Sequence, residues 1–530
     1  MNIVACTSPL QTGRIDNNLQ WFRSHHDEIM SREPDLIVMA QNSLTGFVSD
    51  TLLRDTDFQS KLDAALCELA TFFSVPLIGS QDQWLQGQRK HRPLYFENGK
   101  ATELDFATIS CERQTVYIRV DENDSFPNDL PVIDLFSQPA TLSAPAYHNS
   151  IRMDALTVAD CSGYFEPHTG FLHCGETCHG GWQQGIYTVT LTANGWRTSA
   201  PTTCTWKQMD LLRWQLQTIL QTLSLRDVVI GLSGGIDSTV NALLYQSVVE
   251  KDHILGVTMP SSYTSSVTRS IAKQLAKNSG ISLLTVPIKE SVEATRTQLE
   301  TIAKATGVSL SLDGLPYENL QARDRTSRVL ATIASARGAI FTCNANKTET
   351  TVGYGTMYGD IAGALAATAD LWKHEVYELA KDLDDFMGGG IIPREVFTVP
   401  PSAELSSAQD VTKGFGDPLI YPYHDYLFAS WIQDTPLSLA EILECYEEHT
   451  LTKRLGATVE VETLFADADA FVADLERWWT LYRGLSIAKR VQAPPILAAG
   501  PYPFGKYREA QGEPRYSDRY LAKRKKLLKK

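Results

Sequence analysis

Short apolar runs alternate along the chain with stretches in which apolar positions recur every three or four residues. Ile3-Val4-Ala5, Leu36-Ile37-Val38-Met39 and Pro76-Leu77-Ile78-Gly79 read as strands, and Leu62, Ala65, Leu66 and Leu69 fall at helical spacing. Thr192-Ala193-Asn194-Gly195 and then Ser199-Ala200-Pro201 are rich in turn formers and predict a domain boundary. Beyond them, Met209, Leu212, Trp214 and Leu216 predict a helix, and the unbroken run Val228-Val229-Ile230-Gly231-Leu232 predicts a strand buried on both faces. Further runs at Ile254-Leu255-Gly256-Val257, Leu283-Leu284-Thr285-Val286 and Ala339-Ile340-Phe341-Thr342, separated by helical patterns, predict a doubly wound parallel α/β sheet. The expected organisation is a first domain over 1–195, a linker over 196–208 and a second domain over 209–530.

Composition narrows the function classes. The 530 residues are 43% hydrophobic and 21% charged, the balance of an ordinary globular protein. With 48 Lys+Arg against 62 Asp+Glu the net charge is −14, which disfavours bulk nucleic-acid or anionic-lipid binding. The one basic run, Lys523-Arg524-Lys525-Lys526 with Lys529-Lys530, reads as a solvated tail. No stretch approaches the ~20 apolar residues of a membrane span, and the first residues show no signal-peptide pattern. Nine cysteines spread thinly over the chain suit a reducing compartment, so a cytoplasmic location is expected.

Gly231-Leu-Ser-Gly-Gly-Ile-Asp-Ser238 carries the sharpest chemical signal. It follows a predicted strand and precedes a helix whose inward face is Val240, Leu243, Leu244 and Val248. A Ser-Gly-Gly turn lets backbone N–H groups reach an oxyanion without Cβ obstruction, and the helix N-terminus adds partial positive charge. The competing reading is a plain helix N-cap in a tight turn. The strand, SGGxDS, helix order favours a pyrophosphate cradle, with Asp237 as a natural Mg²⁺ ligand beside it. Gly500-Pro-Tyr-Pro-Phe-Gly505-Lys506 mimics a Walker loop, but Tyr507 replaces its Ser or Thr and its prolines remove amides a phosphate needs.

The segment SGGIDS resembles the pyrophosphate loop of ATP-pyrophosphatase-type amide-forming enzymes, and within that group the chain is similar to NAD synthetase. Met259-Pro-Ser-Ser-Tyr-Thr-Ser-Ser266, Glu318-Asn-Leu-Gln-Ala-Arg323, Asn346-Lys-Thr-Glu349, Val352-Gly-Tyr-Gly-Thr-Met-Tyr-Gly-Asp360, Lys373 with Val376-Tyr377, Pro400-Pro-Ser-Ala-Glu404 and Lys489-Arg490-Val-Gln-Ala-Pro-Pro495 follow in the family's order. The resemblance covers about residues 205–510. It implies an adenine nucleotide α-hydrolase-like domain that adenylates a carboxylate with ATP and then admits ammonia. ATP would lie on Gly231, Leu232, Ser233, Gly234, Gly235, Ile236, Asp237, Ser238 and Asn344. Asp237 and Glu349 would hold Mg²⁺ at the catalytic centre. Arg323 and Lys373 would meet the anionic dinucleotide, with Asp360 and Ser402 lining its nicotinate end. The bland readings are an exposed helical arginine for Arg323 and a capping lysine for Lys373. Two departures stand out: Asn344-Ala345 replaces the usual Thr-Gly, and the loop after Ser402-Ala-Glu404-Leu lacks the family's acidic, glutamine-rich run. That loop is expected to move over the site.

Residues 1 to about 195 resemble a nitrilase-type domain, the module that supplies ammonia from glutamine in larger NAD synthetases, and imply an αββα sandwich. Asp35-Leu-Ile-Val-Met-Ala-Gln-Asn-Ser-Leu-Thr-Gly-Phe47 lies over the family's DLVVFPELxLTGY, with Pro76-Leu-Ile-Gly79 and Phe96-Glu-Asn-Gly-Lys100 following. The general-base Glu position is Gln41. The nucleophilic Cys position falls in Tyr117-Ile118-Arg119-Val120-Asp121 and reads Arg119, and the segment after Lys100 offers no lysine. Loss of a nucleophile alone removes on the order of 10⁶ of rate enhancement in a well-studied triad, so the resemblance implies an inactive glutaminase. Cys111 as a displaced nucleophile lacks a visible base.

Cys161, His168, His173, Cys174, Cys178 and His179 form a ligand-type cluster. It reads either as a zinc site or as alternate faces of a β-hairpin. The leading expectation is ammonia-dependent synthesis of NAD from deamido-NAD with ATP and Mg²⁺. The first domain would serve as scaffold or homo-oligomer interface, and a separate amidase could supply the ammonia. Two others stand beside it: the same adenylation chemistry on a different carboxylate, and a non-catalytic nucleotide-binding regulator.

Overall fold

The computed structural model describes residues 1–104, 108–111, 114–119, 130–136, 149–161, 163–175, 177–202, 207–433, 436–506 and 515–529. Asp121, Val120 and the side chain of Cys111 lie outside the described residues. The chain divides into two compact units, Met1–Asp160 with Phe165–Lys207, and Cys161–Tyr164 with Gln208–Lys530. The linker expected over 196–208 opens inside a strand, Gly195–Thr198, which pairs antiparallel with Gly185–Thr192.

Among the described residues, two large sheets build the first unit, beside the antiparallel pair Leu156–Asp160 and Tyr164–Thr169. One has seven strands and carries Asn2–Thr7, Leu36–Met39 and Leu77–Leu85 side by side in parallel at its centre. The other has six strands in the order Thr177–Gly180, Phe171–Cys174, Ser150–Met153, Val132–Asp134, Gln114–Arg119, Thr108–Cys111. Alternation decides how they meet. Ile3, Ala5, Val38 and Ile78 from the first sheet share a core with Ile118, Ile133, Ile151 and Leu172 from the second. The opposite face of the first sheet, with Val4, Cys6, Ile37 and Met39, packs on the helices Ile15–Met30 and Thr56–Phe72. The described helices of this unit therefore flank one outer face of a nitrilase-like sheet sandwich.

In the second unit, the four predicted strands form one parallel sheet in the order Ser282–Thr285, Ile254–Thr258, Val228–Gly231, Ile340–Phe341. Taken in chain order these are strands three, two, one and four, so the direction of winding reverses between Val228–Gly231 and Ile340–Phe341. Ligands of doubly wound sheets bind at such a reversal, beyond the carboxyl ends of the strands.

A second core is built by the helices Tyr421–Ile432, Leu439–Glu447, Ala468–Arg483 and Asp518–Leu527 around Phe428, Phe471 and Trp478. Its last helix corrects the reading of a solvated basic tail. Tyr520 and Leu527 are buried, Arg524 pairs with Glu476 at 2.7 Å, and Arg519 pairs with Glu444 at 2.7 Å. Lys523 and Lys526 add contacts to Glu444 and Glu447 at 3.3 Å each. The basic residues face acidic helices, and the apolar residues between them seat the helix. Among the described residues, no helix is long and apolar enough to cross a membrane.

Candidate active site

The glycine turn leaves the end of strand Val228–Gly231 and runs directly into the helix Ile236–Gln246. Gly234 sits at φ +93°, and a Cβ there would stand 2.2 Å from the Thr268 carbonyl oxygen, so glycine is required twice over. Gly235 occupies the N-cap and supplies no side-chain acceptor to the first helical turn, leaving its N–H groups for a ligand. Ser238 holds the turn in shape: its hydroxyl donates to the Gly235 carbonyl at 3.0 Å and accepts from the Ser233 N–H at 3.3 Å.

This turn lines a cavity of about 300 Å³. Every residue expected to cradle ATP, from Gly231 through Ser238 together with Asn344, borders it, as do Glu349, Asp360, Lys373 and Ser402. Asn344 replaces the family's usual residue with a definite function: its amide donates to the Gly231 carbonyl at 2.9 Å and ties the two strands at the reversal.

Asn346 organises the carboxylates. It caps the helix Lys347–Val352, accepting the Glu349 N–H at 3.0 Å, and its amide donates to Asp237 Oδ1 at 2.9 Å. Lys373 opens the helix Lys373–Phe386, and its buried Nζ donates to Asp237 Oδ2 at 2.6 Å and Glu349 Oε1 at 3.2 Å. The resemblance implied that Lys373 meets the substrate, whereas in the structure its ammonium bridges the two candidate metal ligands. A buried ammonium needs such partners, and two facing carboxylates need such a cation.

Tyr421 donates to Glu349 Oε1 at 3.1 Å and to Asp417 Oδ2 at 3.2 Å, bringing a third carboxylate close. Burial, with Asp237 and Asp417 nearby, pushes Glu349 up to about 7 despite the attraction of Lys373. Asp237 and Glu349 supply hard oxygen donors on one wall of the cavity beside the oxyanion cradle, a donor set that fits Mg²⁺ shared with bound phosphates.

Arg323 does not line this cavity. It is exposed, and its Nε donates to the Met357 carbonyl at 3.1 Å. Arg325, two residues on, does line it, half-buried with Asp360 and Glu404 nearby, and desolvation pulls its guanidinium down to about 10. Helical rotation separates the two, since positions two apart point to different faces. Ser402 lines the cavity, but its hydroxyl donates within its own loop to the Gln409 carbonyl at 2.8 Å. Asp360 keeps an exposed edge, accepts the Thr356 N–H at 2.8 Å, and is pushed up by partial desolvation among its neighbours.

The loop after Pro400 is fastened by Glu404, whose carboxylate accepts the Ser265 N–H at 3.1 Å and the Thr268 hydroxyl at 2.7 Å. Both lie at the start of helix Ser266–Ser279, where a negative charge is favoured.

In the first unit, Arg119 and Gln41 occupy different surroundings. Arg119 is buried and pairs with Asp134 at 3.0 Å, and Gln41 Nε2 lies 3.3 Å from His91 Nδ1. The Cys/His cluster does not converge as a metal site. Among the described residues no group of three or more His, Cys, Asp or Glu side chains is placed to hold a metal ion. His179 bonds the Ala200 carbonyl, His168 stacks on Phe47, and His173 contacts Asp154 and Cys178.

Residues 209–453 match the NAD synthase family. A glutamine-dependent NAD(+) synthetase of Thermotoga maritima is 38% identical over 182 residues, 34% of this chain and 31% of the relative. One from Synechocystis is 42% identical over 184 residues, again 34% of this chain and 31% of the relative. The aligned segments thus span about a third of these curated relatives. Among solved structures, a glutamine-dependent NAD(+) synthetase from Cytophaga hutchinsonii superposes with a TM-score of 0.72 at 12% identity, covering 99% of each chain. That from Acinetobacter baumannii, in complex with ADP, superposes with a TM-score of 0.63 at 18% identity, covering 86% of this chain and 92% of the other. Residues 209–453 therefore match the NAD synthase family, and the chain shares the fold of solved glutamine-dependent NAD(+) synthetases.

Proposed function

We propose that the chain is an ATP-dependent ligase that amidates deamido-NAD to NAD with free ammonia, in the cytoplasm. The observation that carries the reading is one cavity in which an uncapped helix N-terminus behind a glycine turn faces Asp237 and Glu349, clamped by Lys373 and Asn346. The turn holds the phosphates of ATP through backbone N–H groups. The substrate carboxylate attacks the α-phosphorus, pyrophosphate leaves toward the turn, and ammonia then attacks the acyl-adenylate as AMP departs. Asp237 and Glu349 would hold Mg²⁺, which supplies charge neutralisation on the phosphates when bound. Lys373 bridges and orients both carboxylates, and the loop anchored by Glu404 excludes water from the adenylate.

Ammonia is the nitrogen source in this reading because the nitrilase positions carry Gln41 and a salt-bridged Arg119. A purified chain given ATP, Mg²⁺ and deamido-NAD is expected to form NAD and AMP with ammonium and none with glutamine. Robust turnover with glutamine overturns the ammonia dependence, and no AMP under either condition overturns the ligase reading. Two observations favour a second reading, the same chemistry on another carboxylate: Arg323 lies outside the cavity, and the Ser402 hydroxyl is taken up by its own loop. Pyrophosphate release with competing carboxylates separates the two.

A further inference from the structure

Five side chains stand in register across the six-stranded sheet of the first unit. Arg119 faces Asp134, Asp134 faces Arg152, Arg152 faces His173, and His173 faces Cys178, each on the neighbouring strand. Directly paired residues point to the same face of a sheet, so the row is one line of groups ending at the edge strand Thr177–Gly180. Asp154 completes it from the end of the Arg152 strand. Its Oδ1 accepts Arg152 Nε at 2.8 Å, and its Oδ2 lies 2.7 Å from His173 Nε2. The other ring nitrogen, Nδ1, is 3.3 Å from Cys178 Sγ. Cys174 is one residue out of this register and belongs to the opposite face.

We propose that Cys178, His173 and Asp154 form a thiol nucleophile site for small activated acyl groups, esters and thioesters, separate from the cavity of the second unit. The three groups reproduce the relation that acyl transfer requires, a nucleophile bonded to a base whose far side is fixed by a carboxylate. The Asp154 carboxylate accepts the Nε2–H of His173, which turns Nδ1 to the sulfur. The site sits on an edge strand, with Cys178 half-buried and the His173 side chain 20% exposed, so a small acyl donor can reach the sulfur.

In the first step Nδ1 of His173 takes the thiol proton as the sulfur attacks the carbonyl carbon. The S–C bond forms, the C–O or C–S bond to the leaving group breaks, and the leaving group departs with its electron pair and takes the Nδ1 proton of His173. In the second, water gives a proton to Nδ1 of His173 as its oxygen bonds the carbonyl carbon, the C–S bond breaks, and the departing sulfur takes that proton back, releasing the acid and restoring the thiol. Cys178 and His173 are catalytic residues in this proposal, and Asp154 is a positioning residue.

The test uses the full chain and p-nitrophenyl acetate. The expected result is a burst of p-nitrophenolate approaching one per chain, with the acetyl group mapped to the Cys178 peptide. C178S abolishes the burst, and H173Q slows it about 100-fold. D154N slows it too, whereas D154E recovers part of the rate, which a merely structural role for Asp154 would not produce. If C178S fails to fold, blocking the wild-type thiol with methyl methanethiosulfonate must remove the burst and dithiothreitol must restore it. Acetyl groups scattered over Cys67 and Cys445, or a burst that survives loss of the Cys178 thiol, overturns the proposal. Because no ATP or ammonium enters the assay, its failure leaves the ligase reading untouched.

Discussion

Single atoms decide much of the second unit's site. A methyl group at Gly234 meets a backbone carbonyl that cannot withdraw, at a φ that other residues avoid. Gly234→Ala is therefore expected to abolish measurable AMP formation, and isothermal titration should show ATP affinity falling at least tenfold. Lys373 is a stability residue as much as a site residue. Replacing it with methionine leaves Asp237 and Glu349 facing each other around an uncompensated pocket. Losing one partner of a buried ion pair costs about 3–5 kcal/mol, so Lys373→Met should shift urea unfolding by that amount. An unchanged midpoint would mean that the ammonium does not hold the carboxylates. The resemblance named both residues, but only packing showed that Lys373 serves the carboxylates. No residue-level pattern distinguishes a lysine that contacts substrate from one that neutralises its neighbours.

Elements set how these atoms are held. The loop carrying Pro400–Leu405 is tied to the start of helix Ser266–Ser279 through Glu404, a non-glycine residue at φ +46°. A strained residue with two charge-assisted bonds marks a loop held closed by its anchor. Glu404→Ala should raise KM for ATP about tenfold, the equivalent of a charge-assisted bond of ~1.5 kcal/mol, with a smaller change in kcat. An unchanged KM would show that the anchor is idle.

In the first unit, burial opposes the charging of His173, but Asp154 prevails and lifts the imidazole to about 9 from an ordinary 6.5. A group raised in the folded state stabilises fully below its unfolded pKa and loses that contribution as pH climbs through the folded one. Between pH 6.5 and 9 the first unit should therefore lose up to about 3 kcal/mol from this pair. His173→Gln should flatten that alkaline limb of stability in denaturant titrations across pH. Asp154 is held well below its ordinary range by Arg152 and His173 against the cost of burial, so its own contribution is lost only on acidification.

At the scale of the whole molecule, the two units treat charge differently. The second gathers acidic groups around a cavity, whereas the first fills its sheet face with a row of paired charges that includes Arg119. Restoring single nitrilase-type residues should therefore not restore glutaminase chemistry. Arg119→Cys removes the ion pair of buried Asp134 and leaves it only Arg152 on the next strand, and we expect about 3 kcal/mol of destabilisation with no glutamine turnover above wild type. Glutamine hydrolysis by that variant would show that the row is incidental.

Much of the architecture was legible in the chain. Continuous apolar runs marked the central strands Val228–Gly231 and Ile254–Thr258, because strands covered on both faces can carry almost nothing else, while Ser282–Thr285 at the sheet edge is largely exposed. The glycine turn was legible because only glycine tolerates that backbone so close to Thr268. The basic C-terminal run misled, since charge alone does not reveal that Glu444, Glu447 and Glu476 wait on neighbouring helices. Arg323 misled because its motif position does not say which face of the helix turns inward. The Cys178, His173 and Asp154 chain was beyond reach: strand register sets it, and register depends on how two sheets share Ile118, Ile133, Ile151 and Leu172. Local sequence determines which segments become helix or strand and where a phosphate can sit, because those are short-range steric and periodic effects. Which charged groups meet is decided by folding alone, because Coulomb pairs form between residues that only the tertiary structure brings within a few ångströms.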